Sequence, residues 1–135
     1  MNTPTPAQLN QLLLPNCREY GLQYIQTEPR IVATITQNPH NSQHTGVIQG
    51  GVLCVLAETV ANMAGALSVP LDRYTVLGQS LNTHYISGAT GVITATVEPI
   101  KVGRSSCVYS VNMTDESGKT VAVSIFTGSI TKRKA

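Results

Sequence analysis

The sequence predicts an α+β fold in which a curved antiparallel sheet wraps around one long central helix. Three observations carry that prediction. The segment 50–68 is apolar over helical length and meets no proline until Pro70. Runs on both sides of it alternate apolar and polar residues with the period of two that marks a half-buried strand, two before the helix and four after it. At 135 residues, with 41% hydrophobic and 12% charged side chains, the chain has the length of one domain with a single core, 1–135. It shows no internal repeat, linker or low-complexity stretch.

Thr5, followed by Pro6 and by Gln8 three residues on, has the form of a capped helix start, so a short helix is expected over 5–14, ending before Pro15. Strands are expected at 21–28 and 30–37, with Glu28-Pro29 as the turn between them. Ile31, Ala33 and Ile35 share one face of the second; Val32, Thr34 and Thr36 share the other. A polar loop, 38–49, leads into the central helix. That helix stops near Ser68, because the residue before a proline is pushed out of helical conformation. Strands follow at 74–86, 91–102, 105–114 and 120–131, joined in part by turns at 87–91 and 115–119 that each contain glycine. Cys107, Tyr109, Val111 and Met113 lie on one face of the third of these. A single helix cannot cover a six-stranded sheet, and the alternation over 74–86 leaves an edge to be paired, so a homodimer is expected.

Several function classes are disfavoured at once. A net charge of +2 is too small for a nucleic-acid binder. Residues 1–11 are polar and hold Pro4 and Pro6, unlike a signal peptide, and no uninterrupted apolar run reaches the roughly 20 residues of a bilayer span. Cys17, Cys54 and Cys107 are odd in number and widely spaced, as befits reduced thiols in a cytoplasmic protein. His40 and His44 are four apart, but they sit in loop chemistry with no cysteine or acid beside them, so no metal site is expected.

The chemistry centres on 41–67, NSQHTGVIQGGVLCVLAETVANMAGAL. Glu58 is the only Asp, Glu, Lys or Arg between Arg30 and Asp72. At 100° per residue, Val52, Leu53, Leu56, Val60, Met63 and Leu67 gather on one arc of the helix, with Glu58 opposite among Cys54, Val55, Ala61, Asn62 and Gly65. The wet face of an amphipathic helix also carries acids, though usually several. Gly50 and Gly51 stand where loop becomes helix, permit close backbone approach, and offer amides with no intrahelical acceptor to an oxyanion or carbonyl oxygen.

The segment GVIQGGVLCVLAETVANMAGAL resembles the signature of hotdog-fold acyl-CoA thioesterases of the phenylacetate-degradation (PaaI-like) type, within them the glutamate-dependent 4-hydroxybenzoyl-CoA thioesterase branch. The strand pattern of 81–91 and 102–123, with Gly103-Arg104 and the 115–119 turn, fits the same family, so the resemblance spans about 20–131. One residue departs from the pattern: the family's histidine before Gly-Gly is Gln49 here. The resemblance implies hydrolysis of an acyl-CoA, aromatic or short to medium in its acyl group, to free acid and CoA, with no cofactor. It implies that Gly50 donates its N–H to the thioester oxygen and that Gln43 completes the oxyanion hole. Glu58 then acts as nucleophile or general base; the sequence does not choose between the two. It also implies a site at a dimer interface and dimers that pair into a homotetramer.

Around that centre, Gln49 retains a hydrogen-bond donor but no acid–base function, and His44 beside Gln43 is a substitute imidazole or a surface histidine. Asn62, one turn after Glu58, is placed to orient water or substrate, and Gly51 lies beside Gly50. Lys101, Arg104 and Ser105 are candidates for the phosphates of CoA; Lys132, Arg133 and Lys134 read as a solvated tail. His84 reads as packed or exposed. Tyr24, Tyr74 and Tyr85 are the residues available for an aromatic pocket. Hotdog hydratases place an Asp and a His around the helix start, and 41–52 contains no Asp. The remaining alternatives are a non-catalytic acyl-CoA-binding hotdog module and a thioesterase acting on a carrier-protein thioester.

Overall fold

The computed structural model describes residues 3–134; Met1, Asn2 and Ala135, the outermost residues of the expected domain, lie outside the described residues. The elements in order are α1 (Pro6–Gln11), α2 (Pro15–Glu19), β1 (Leu22–Gln26), β2 (Val32–Thr36), α3 (Gly50–Leu67), β3 (Tyr74–Tyr85), β4 (Val92–Val102), β5 (Ser106–Thr114) and β6 (Thr120–Lys132). The six strands form one antiparallel sheet ordered β1-β2-β4-β5-β6-β3. Helix α3 packs against strands β2 to β6, which is the hotdog arrangement.

The strand faces follow the alternation in the sequence. Ile31, Ala33 and Ile35 are buried, as are Cys107, Tyr109, Val111 and Met113. These side chains meet Leu56, Ala57 and Val60 of α3, none of which is accessible to solvent. By length and composition α3 is apolar enough to cross a bilayer; here one face of it packs against the sheet.

Two expectations need correction. The helix expected over 5–14 is α1 alone, and a second helix, α2, follows. The capping box forms, with Gln8 N–H donating to Thr5 Oγ1 and Thr5 N–H to Gln8 Oε1. Leu14, however, is extended (ψ 152°) ahead of Pro15, and proline at the first helical position starts α2. The Arg18 guanidinium then donates to the carbonyls of Asn10 and Gln11 and closes the end of α1.

The second correction concerns the faces of α3. Ala61 and Gly65, read from the sequence as lying with Glu58, are buried, whereas Met63 is half-buried and Leu67 exposed. The small residues serve the helix–sheet contact. A Cβ on Gly65 would come within 3.1 Å of both Cys107 Sγ and Val76 Cγ1.

Candidate active site

The loop before α3 is held by Asn41, which is 1% exposed. Its amide donates to the carbonyls of Tyr20 and Thr36, both at 2.8 Å, and its Oδ1 accepts from the Asn38 N–H at 2.9 Å. Beyond it the chain folds back on itself. Gln43 N–H donates to Val47 O at 2.7 Å, Gly46 N–H to Gln43 O at 3.0 Å, and Gln49 N–H to Asn41 O at 2.8 Å. Gly46 takes φ +92°, a conformation that glycine adopts without steric cost. This small hairpin presents Gln43 and His44 at its tip, both exposed. Thr45 Oγ1–H donates to Gln43 Oε1 at 3.4 Å, which leaves the N–H₂ of that amide free to donate elsewhere.

Gln49 is the N-cap of α3, and its side chain makes no capping bond. Its carbonyl accepts from Val52 and Leu53. The Gly50 and Gly51 N–H groups have no acceptor among the described residues, at the positive end of an 18-residue helix. Gln43, Gly50 and Tyr85 line one cleft of about 430 Å³. Ser87 lines it too, and its hydroxyl is buried without a hydrogen-bond partner among the described residues. A Cβ at Gly50 would lie 3.0 Å from the Tyr85 ring, whereas one at Gly51 would meet nothing within 4 Å.

Glu58 lies in a different place. It is exposed on α3, with no ion pair or hydrogen bond among the described residues. With Asn62 it lines a cleft of about 200 Å³ against Leu9, Leu13 and Cys17, and with Cys54 and Leu81 an adjoining one of about 260 Å³. Glu58 stands eight residues after Gly50, about 12 Å along the helix axis. Within one protomer, then, the sequence-predicted residues form two groups: Gln43 with Gly50, and Glu58 with Asn62.

Lys101, Arg104 and Ser105 form a third group at the opposite end of α3, all exposed. The Arg104 turn is closed by Gly103 N–H donating to Ser106 O, and Ser105 O accepts from Ile130. Lys132 and Arg133, read as part of a solvated tail, are exposed but tied down at this end. Lys132 pairs with Tyr74, and Arg133 donates to the carbonyls of Leu71 and Arg73. His84 is exposed on β3, on the face opposite Thr83, whose hydroxyl reaches α3. His40 faces Glu19, and no group of three or more potential metal ligands occurs among the described residues.

Sequence reasoning missed one contact in this region. Cys54 Sγ lies 2.9 Å from the Tyr85 hydroxyl and 3.5 Å from Thr83 Oγ1. With the thiol hydrogen directed to Thr83, the phenol is the donor to sulfur. The Tyr85 pKa is pushed up to about 12, first by this hydrogen bond and then by burial, as expected of a proton held in a bond. Strand alternation places Tyr85 and Thr83 on one face, but nothing in the sequence says which turn of α3 they meet.

The chain is similar to known proteins over most of its length. The thioesterase superfamily model matches residues 45–122. A 1,4-dihydroxy-2-naphthoyl-CoA hydrolase of Listeria monocytogenes is 36% identical over 101 residues, covering 74% of this chain and 80% of that protein. The crystal structure of a thioesterase from Haemophilus influenzae is 31% identical with a TM-score of 0.90, covering 97% of this chain and 93% of that one. A mutant thioesterase from Pseudomonas aeruginosa, 24% identical, shares the fold with a TM-score of 0.93 over 98% of this chain and 97% of its own. With more than half its length matched by the family model, the chain belongs to the thioesterase superfamily, and it is a thioester hydrolase.

Proposed function

We propose that the protein is an acyl-CoA thioesterase whose active site forms between two protomers, with Glu58 as the reactive group. The observation that carries this reading is the setting of Glu58. It is the only charged side chain between Arg30 and Asp72, and among the described residues it stands unpaired, beside Leu13, Leu81 and Cys54. A carboxylate kept without a partner is free to attack or to accept a proton. The relative from Listeria monocytogenes, a CoA hydrolase by name, supports CoA as the thiol.

The distance within one protomer supports the two-protomer site. Reacting atoms must approach to about 3–3.5 Å, and Glu58 stands about 12 Å along α3 from the Gly50 amide. The free edge of β3, 12 residues long at the end of the sheet, offers a surface for a second copy. Two-fold pairing then gives two equivalent sites per dimer, and pairing of dimers gives the homotetramer. In each site the Gly50 N–H and the Gln43 amide bind the thioester oxygen while Glu58 of the partner subunit faces the carbonyl carbon.

Two routes use this arrangement. In one, the carboxylate adds to the carbonyl carbon and expels the CoA thiolate, leaving a mixed anhydride that water opens. In the other, it takes a proton from a water that adds directly. Gln49 contributes a hydrogen bond beside the departing sulfur, and Asn62 and His44 flank the reacting group and the loop. Lys101, Arg104 and Ser105, around Val102, which shares a cleft with Leu67 and Ser68 at the far end of α3, are assigned to the phosphates of CoA. The reaction calls for no cofactor.

The test is release of CoA thiol from short, long and aromatic acyl-CoAs by the wild type and Glu58→Ala. The variant is expected to lose at least about a hundredfold in kcat while melting within about 2 °C of the wild type, since Glu58 makes no ion pair or hydrogen bond among the described residues. Wild-type turnover by the variant would remove Glu58 from the mechanism. No turnover of any ester by the wild type would remove acyl-CoA as the substrate.

A further inference from the structure

Gly50, Cys54 and Glu58 follow one another at intervals of four on α3 and so lie along one stripe of the helix. A group extending from the Gly50 amide along that stripe must pass Cys54, where the Tyr85 ring stands. The ring lies 3.0 Å from where a Cβ on Gly50 would be, and its hydroxyl is held 2.9 Å from Cys54 Sγ. Tyr85 lines the cleft of Gly50 and Gln43, Cys54 lines that of Glu58 and Leu81, and the bonded pair stands between them. Behind it, Cys54 reaches Thr83 Oγ1 at 3.5 Å, and Thr83 is bonded at 2.7 Å to the buried Ser124 hydroxyl. The ring is thus anchored through its hydroxyl to the floor of the sheet, although Tyr85 is 54% exposed.

We infer that Tyr85, held by Cys54, is the wall that sets the size of the acyl group admitted beside Gly50, so that the protein selects thioesters of short acyl groups. This rests on the acyl-CoA reading above. Truncating the ring joins the two clefts and opens the stripe toward Glu58 to longer chains. The phenol hydroxyl acts on selectivity through the ring that it orients.

The experiment measures binding of non-hydrolysable S-alkyl-CoA thioethers, from ethyl to decyl, by calorimetry, with wild type, Tyr85→Ala and Tyr85→Phe side by side. Thermal melts and gel filtration check that each variant is folded and assembled as the wild type is. Tyr85→Ala is expected to shift the ratio of long-chain to short-chain affinity at least about tenfold toward the long chains, the scale on which a few methylenes in an apolar pocket are discriminated. Tyr85→Phe, which keeps the ring, is expected to shift it by less. An unchanged ratio in Tyr85→Ala, with CoA thiol release from acyl-CoAs intact in the wild type, overturns the wall and leaves the thioesterase reading standing. Equal shifts in both variants overturn the ring as the selective element. Failure of every thioether to bind any of the three proteins overturns the wall together with the reading on which it rests.

Discussion

Gln49 caps α3 through its carbonyl while its side chain projects without a capping bond, so chemistry rather than folding is what a change there will alter. Gln49→His is expected to melt within about 2 °C of the wild type and to keep or raise kcat/KM for the preferred acyl-CoA, because an imidazole supplies the same hydrogen bond and adds acid–base capacity. A collapse of kcat in a folded variant would show that the amide has a role of its own. Asn41 presents the opposite case. Its buried amide serves two carbonyls, one N–H and the Ser42 hydroxyl, and alanine would leave all four without that partner. Each such loss costs about 1–3 kcal/mol, and losses in one network do not add. Asn41→Ala is therefore expected to lower stability by about 2–3 kcal/mol, read from urea midpoints at unchanged slope. A loss below about 0.5 kcal/mol would mean that the backbone bonds of the hairpin hold the loop without it.

At the scale of the element, α3 owes its seat to small residues as much as to large ones. Gly65 tests this because two effects of known size oppose each other there. Alanine within a helix is favoured over glycine by about 0.8–1.0 kcal/mol. The added Cβ, however, would lie 3.1 Å from Cys107 Sγ and Val76 Cγ1, on two strands flanking the last turns of the helix, and overpacking a filled core costs about 1–3 kcal/mol. Cys107 is fully buried and Val76 nearly so, which leaves neither room to withdraw. Gly65→Ala is expected to be destabilising by about 1 kcal/mol in denaturant unfolding; a gain in stability would show that the sheet yields at this contact. The same contact explains why the buried face of α3 was only partly legible in the sequence. Side-chain size was taken as the sign of burial, and the sign fails where a helix approaches a sheet closely.

At the scale of the whole molecule, the six strands and the bounds of α3 were legible because period-two alternation and an 18-residue apolar run are long signals. Helix α2 was not, since five residues are too few to show a period. The isolation of Glu58 and the Gly50-Gly51 junction could be read from local sequence. The Cys54–Tyr85 bond and the anchoring role of Asn41 could not, because each joins segments whose pairing the fold alone decides. The division of the candidate site into two groups also belongs to the fold, and it leads to the most direct test of the assembly. If Gln43 and Glu58 of one site come from different protomers, Gln43→Ala and Glu58→Ala dimers are each impaired at both of their sites. Each is expected to lose at least about a hundredfold in kcat, one as an oxyanion donor and the other as the reactive carboxylate. When the two variants are unfolded together and refolded in equal amounts, half of the dimers are mixed, and each mixed dimer carries one site with both lesions and one with neither. The mixture should then regain about a quarter of wild-type specific activity. A site assembled within one protomer would leave a single lesion in every site of the mixed dimers, and the refolded mixture would stay as inactive as its parents.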